Sequence, residues 1–165
     1  MSDGTSTLGA GGTEDTGDRA TPPQTATHAL VLDDEPALVE VAIRILRISG
    51  RSGTGFTEAD AAVAAFEQAP ERFDVVVTDM RLRDVTGIDV SEQLSRLRPG
   101  VPILLIAGAP LGADVWDLAA NAGVCMVLQK PYRLHELLDA IAHMEMAGNL
   151  HSPVERSDRL TTPLH

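Results

Sequence analysis

Three stretches of this 165-residue chain carry strand-forming residues straight into charged ones. Val75-Val76-Val77-Thr78 runs into Asp79, His28–Leu32 runs into Asp33, Asp34 and Glu35, and Gly123–Gln129 runs into Lys130-Pro131. In an open parallel α/β sheet, ligands bind in the crevice beyond the carboxyl ends of the strands. Two central strands would therefore deliver three Asp carboxylates to one place. Like charges held so close raise one another's pKa unless a cation neutralises them. Oxygen-only ligands with few fixed protein contacts suit Mg²⁺. Lys130 is the only lysine among 13 basic residues, and an ammonium on a flexible stem at that edge is the counter-charge a phosphoryl group needs. Taken singly, an Asp after a strand is more often a turn residue or a helix cap. The coincidence of three such strand ends carries the chemistry.

The elements that must position these groups follow from periodicity. Val75–Val77 has no polar alternation and predicts a strand buried on both faces, as does Val101–Ile106. After the first strand, Pro36 suits the opening turn of a helix, and Leu38, Val39, Ala42, Ile43, Ile45 and Leu46 recur at helical spacing up to Ser49-Gly50. An alanine-rich helix follows Thr57-Glu58, with Ala61, Ala65 and Phe66 expected inward. A third helix runs from about Ile88 to Leu97 with Val90, Leu94 and Leu97 inward, ended by Pro99-Gly100. A fourth covers about Gly112–Ala122, with Val115, Trp116, Leu118 and Ala119 as its apolar side. There Trp116 is as compatible with an exposed anchor as with a core residue. The last helix begins at Arg133 and places Leu134, Leu137, Leu138, Ile141 and Met144 at three- and four-residue steps. Cys125 is expected to be a small core residue of a buried strand, and all five histidines are read as structural or solvated.

The stretches ALVLDDEP, VVVTDMRL with Gly87 eight residues after Asp79, and VLQKPY together resemble the receiver domain of two-component response regulators, over roughly His28–Met146. The resemblance implies a flavodoxin-like doubly wound α/β fold, with five parallel strands in the order 2-1-3-4-5, and it places the short second strand within Arg51–Phe56. It implies that Asp79 is the phosphoacceptor, that Asp33, Asp34 and Asp79 hold Mg²⁺ with the Arg81 backbone carbonyl, and that Lys130 contacts the phosphoryl oxygens. The implied partners are a sensor histidine kinase or phosphotransfer protein, an unnamed downstream protein and, in some members, a second copy in a homodimer.

Three positions depart from the family, two of them in its switch. Where a Ser or Thr normally turns its hydroxyl toward the phosphoryl group stands Ala107, and where a switching Tyr or Phe often stands is Val127. A hydrogen bond to a charged group is worth roughly 1.5–3 kcal/mol, comparable to the coupling between allosteric sites. The usual switch should be weakened, unless Thr78 or Thr86 compensates. The loop after Asp79 carries Arg83 where the family usually has Pro. Arg81 and Arg83 there either pair with a phosphoryl group or the acids, or are simply solvated.

Net charge is −11, so a direct grip on nucleic acid is not expected. Neither a signal peptide nor an apolar run of membrane-spanning length is present, and a cytoplasmic location follows as the expectation. Residues 1–27 are rich in Gly, Thr, Ser and Asp and are expected to be a disordered extension. A receiver domain is expected over 28–147 and a flexible tail over 148–165. Two rival functions remain. One is a degenerate receiver that binds a partner without being phosphorylated. The other is a Mg²⁺-dependent phosphohydrolase with an aspartate nucleophile, disfavoured because the second acid such enzymes need two residues on is here Arg81.

Overall fold

The computed structural model describes residues 26–148, so nearly all of the expected disordered extension and of the expected tail lies outside the described residues. Strands β1 (His28–Leu32), β2 (Ser52–Phe56), β3 (Val75–Asp79), β4 (Ile103–Ala107) and β5 (Val124–Gln129) alternate with helices α1 (Pro36–Ile48), α2 (Ala59–Gln68), α3 (Gly87–Leu97), α4 (Ala113–Asn121) and α5 (Leu134–Gly148). All strand pairs are parallel and the order is β2-β1-β3-β4-β5, as expected. Among the described residues no helix is long and apolar enough to cross a membrane.

The continuous apolar strands work as their sequences require, because both faces of the sheet are covered. Leu30, Leu32, Val76, Ile103 and Leu105 point to one side and pack with Ala62, Phe66, Val90, Leu94 and Ala119 of α2, α3 and α4. Their alternates Ala29, Val31, Val75, Val77, Leu104 and Ile106 face the other side and meet Ala42, Leu46, Leu137, Ile141 and Met144 of α1 and α5. This rigid centre fixes the carboxyl ends of β1, β3 and β4 relative to one another.

Several expected core positions are displaced. In α2 the buried residues are Ala62 and Phe66, whereas Ala61 is exposed. Leu97 and Leu134, at the end of α3 and the start of α5, are 40% and 49% exposed, whereas Leu94 and Leu137 in the same terminal turns are buried. Cys125 is exposed rather than buried, because β5 is an edge strand with β4 as its only neighbour. Of the apolar side expected for α4, Ala119 alone is fully buried; Trp116 is 37% and Leu118 60% exposed.

Gly87 opens α3, and the reason for glycine is closeness rather than an unusual backbone angle. A β-carbon there would stand 2.2 Å from the Asp79 carbonyl oxygen and 2.8 Å from Leu105 Cδ1. Gly87→Ala is therefore expected to destabilise the fold by roughly 1–3 kcal/mol through overpacking, read as a lower urea midpoint with an unchanged slope. An unshifted midpoint would mean that α3 backs away from β3 at no cost. The same helix start is fastened by a capping box: Thr86 Oγ1 accepts from the Asp89 N–H while Asp89 Oδ2 accepts from the Thr86 N–H.

One ion pair ties the last helix to the start of β2. Arg51 Nε and Nη2 donate to Glu145 Oε1 and Oε2 at 2.6 and 2.7 Å, a two-pronged and largely buried pairing. Those hydrogen bonds, chiefly, hold the Glu145 carboxyl below its ordinary pKa of 4.5. A carboxylate depressed in the folded state stabilises above its unfolded pKa and loses that contribution as pH falls through the folded value. Glu145→Gln is expected to cost about 1 kcal/mol at pH 7. That difference should shrink once pH drops below 4.5. A pH-independent difference between the two proteins would contradict it.

Candidate phosphoryl site at the carboxyl edge of the sheet

Asp79 ends the central strand and is 7% exposed, with both carboxylate oxygens engaged. Oδ1 accepts from Lys130 Nζ at 2.7 Å and Oδ2 from the Arg81 backbone N–H at 2.8 Å. The backbone makes this meeting unavoidable. Met80 N–H bonds the Ile106 carbonyl at 2.7 Å, and Lys130 N–H bonds the Ala107 carbonyl at 2.8 Å, so the ends of β3, β4 and β5 are stitched side by side. The ammonium of Lys130 also lies 3.7 Å from Asp33 Oδ2. A single cation thus touches acids from two strands.

Electrostatics follow from that geometry. Burial, the largest influence, raises the Asp33 pKa, opposed by the Glu35 N–H bonded to its Oδ1 and by the charge of Lys130. For Lys130 burial is the largest single influence and pulls downward, yet the hydrogen bond and charge of Asp79 and the charge of Asp33 outweigh it and leave its pKa raised. Burial likewise raises Tyr132, whose ring packs on the α1/α5 side of the core close enough to feel Lys130. Nothing in the sequence beyond its position after Lys130-Pro131 marked that tyrosine.

Of the expected site residues, Asp33, Asp79 and Lys130 are brought together. Asp34 is partly exposed beside them and acts on Asp33 through its charge. Among the described residues no three acidic, histidine or cysteine side chains gather closely enough to enclose a metal by themselves. That donor set nevertheless fits Mg²⁺, which commonly takes one or two carboxylates and completes its octahedron with phosphate oxygens and water. Ala107 is buried and borders a cavity of about 440 Å³ whose walls also include Asp79, Arg81, Gly108 and Lys130. Val127 is partly buried against the α2/α3/α4 side of the core. Neither expected substitute hydroxyl is available to the site. The Thr78 hydroxyl is buried and donates to the Asp79 carbonyl at 3.2 Å, and the Thr86 hydroxyl is committed to Asp89.

Known proteins resemble this chain in sequence and in fold. TcrX of Mycobacterium tuberculosis, described as a probable transcriptional regulatory protein, is 35% identical over 109 residues, covering 66% of this chain and 45% of TcrX. The sensory transduction protein RegX3 of Mycobacterium bovis is 31% identical over 115 residues, covering 70% of this chain and 49% of RegX3. The chain thus spans about half the length of these curated relatives. Among solved structures, a CheY-like receiver domain from Methanospirillum hungatei superposes with a TM-score of 0.70 at 24% identity, covering 75% of this chain and 97% of that one. The beryllofluoride-activated NtrC4 receiver domain dimer gives 0.67 at 22% identity, covering 73% and 98%. At these identities the structures speak for the fold. The family model of the response regulator receiver domain matches residues 29–142, from β1 into α5. A match of that extent settles kinship: this chain belongs to the receiver domains of two-component response regulators.

Proposed function

We propose that residues 28–147 form a receiver that accepts a phosphoryl group on Asp79 from a phosphohistidine of a sensor kinase or phosphotransfer protein. The observation that carries this reading is the Lys130 ammonium, 2.7 Å from Asp79 Oδ1 at the buried end of the central strand. A carboxylate oxygen of Asp79 attacks phosphorus, the P–N bond breaks, and the imidazole nitrogen leaves with the electron pair. The product is a mixed anhydride on Asp79, the signal itself. Transfer of this kind asks for positioning and charge stabilisation more than for covalent machinery. Lys130 offsets negative charge on the phosphoryl oxygens, and the Arg81 N–H orients the carboxylate. Bound Mg²⁺, held by Asp33, Asp34, Asp79 and the Arg81 carbonyl, would supply further charge neutralisation. The chain is thus an acceptor that assists its own reaction rather than an enzyme acting on others, and it works in the cytoplasm by protein contact rather than by gripping nucleic acid.

With Ala107 and Val127 in place of the usual moving hydroxyl and ring, the link from Asp79 to the outer face is altered. Those same two residues favour a second reading, a partner-binding module indifferent to phosphate. Intact mass after incubation with acetyl phosphate, with and without Mg²⁺, separates the two. A Mg²⁺-dependent gain of one hydroxylamine-labile phosphoryl group is the expected result. No gain, from acetyl phosphate or from a histidine kinase, would leave the binding module standing.

A further inference from the structure

The cavity beside Asp79 is bordered by a second cation. Arg81 lines it together with Lys130, and the tip of its side chain lies along the loop after β4. A β-carbon at position 108 would stand 3.6 Å from Arg81 Nη2, so the guanidinium already rests beside Gly108. The other end of the residue is anchored at the phosphoacceptor, since its backbone N–H holds Asp79 Oδ2 at 2.8 Å. Among the described residues no carboxylate lies within ion-pair distance of that guanidinium. Its charge is uncommitted at the mouth of a cavity far larger than a phosphoryl group.

Set against this is what the site lacks. Ala107 offers no hydroxyl, and those of Thr78 and Thr86 are spent on the Asp79 carbonyl and on Asp89. Arg81 runs from Asp79, held by its backbone N–H, to Gly108, beside its guanidinium. We propose that Arg81 takes over the role of the missing hydroxyl: its guanidinium binds the oxygens of the phosphoryl group on Asp79 and couples that group to the backbone at Gly108. This rests on Asp79 being the phosphoacceptor. A planar guanidinium suits phosphate oxygens, giving two directed hydrogen bonds where a hydroxyl gives one. The coupling differs in kind from the usual one, because the moving part belongs to the loop after β3 and reaches across to β4. Solvent exposure of Arg81 keeps the gain moderate and salt-sensitive.

The test uses the whole chain with beryllofluoride and Mg²⁺ as a non-covalent phosphoryl analogue, followed through backbone amide spectra, alongside covalent labelling by acetyl phosphate. Arg81→Ala should bind the analogue about fivefold to tenfold more weakly, as expected for loss of a partly screened charged hydrogen bond. It should also lose more than half of the Gly108 amide shift. Arg81→Lys, which keeps the charge, should recover part of the affinity, whereas Arg83→Ala on the same loop should match wild type in both readouts. Wild-type affinity and a full Gly108 shift in Arg81→Ala, with Asp79 still labelled in wild type, would overturn this inference and leave the phosphoacceptor assignment intact. If wild type neither binds the analogue nor takes up phosphate, both fall together.

Discussion

Asp79→Asn is expected to take up no phosphoryl group under conditions where the wild-type chain gains one, because an amide oxygen is no nucleophile toward phosphorus at neutral pH. The substitution is close to isosteric, so the loss cannot be assigned to a collapsed site. Asn offers one acceptor where Asp offers two, and the cavity presents two donors to it, Lys130 Nζ and the Arg81 N–H. One of these hydrogen bonds is lost, at a net cost of roughly 1 kcal/mol. Removing a charge from beside Asp33 acts in the opposite direction, since the Asp79 charge contributes to raising the Asp33 pKa. The variant should unfold within a few degrees of wild type, which thermal denaturation checks before labelling is compared. Undiminished, Mg²⁺-dependent uptake by the Asn variant would move the acceptor to another acid, and peptide mapping would locate it.

How much of this was readable in the sequence depends on what each residue answers to. The continuous apolar runs of β3 and β4 mark central strands because no surface strand can expose so much apolar area, and the charged residues at their ends follow directly from that placement. β2 was nearly invisible. Its glycines exist for the helix above them: a β-carbon at Gly55 would stand 2.2 Å from Val39 Cγ1, and one at Gly53 2.9 Å from Ile43 Cδ1 and Leu46 Cδ1. Close packing of α1 thus erased the strand pattern. In α2 the run from Ala59 to Ala65 is small and apolar on every side except at Asp60, so periodicity could not choose between Ala61 and Ala62, and packing against the sheet chose Ala62. Cys125 was misread because strand type does not say which strand is the edge. At the site, Asp33, Asp79 and Lys130 are placed by strand ends and were legible. The path of the Arg81 side chain is set by a turn, with an isolated antiparallel bridge between Arg81 and Thr86 and the Gly87 N–H bonded to the Met80 carbonyl at 2.9 Å. Residue types in that turn leave its direction open.

Lys130→Ala is expected to slow phosphoryl acceptance by roughly tenfold to a hundredfold while leaving Asp79 able to react. Removal of one preorganised donor to developing transition-state charge commonly costs 10²–10³ in rate. The lower range applies here because the Lys130 side chain is 32% exposed and water can enter in its place. The same substitution leaves Asp33 and Asp79 facing each other without the ammonium that now touches both, at 3.7 and 2.7 Å. A folding penalty of roughly 1–2 kcal/mol should accompany it at low ionic strength, less in high salt. The two effects are separable. Mg²⁺ should restore much of the stability, since any cation relieves carboxylate crowding, yet restore little of the rate, which depends on a donor aimed at the phosphoryl oxygens. Lys130→Arg tests the aim rather than the charge, because a guanidinium cannot occupy the ammonium's position between Asp33 Oδ2 and Asp79 Oδ1 without displacing one of them. A time course of intact mass with acetyl phosphate at saturating Mg²⁺ gives the rates, and urea melts with and without Mg²⁺ give the stabilities. If Lys130→Ala labels as fast as wild type while still losing stability, the lysine is a structural counter-ion for two crowded acids and the phosphoryl group draws its charge compensation from elsewhere in the cavity.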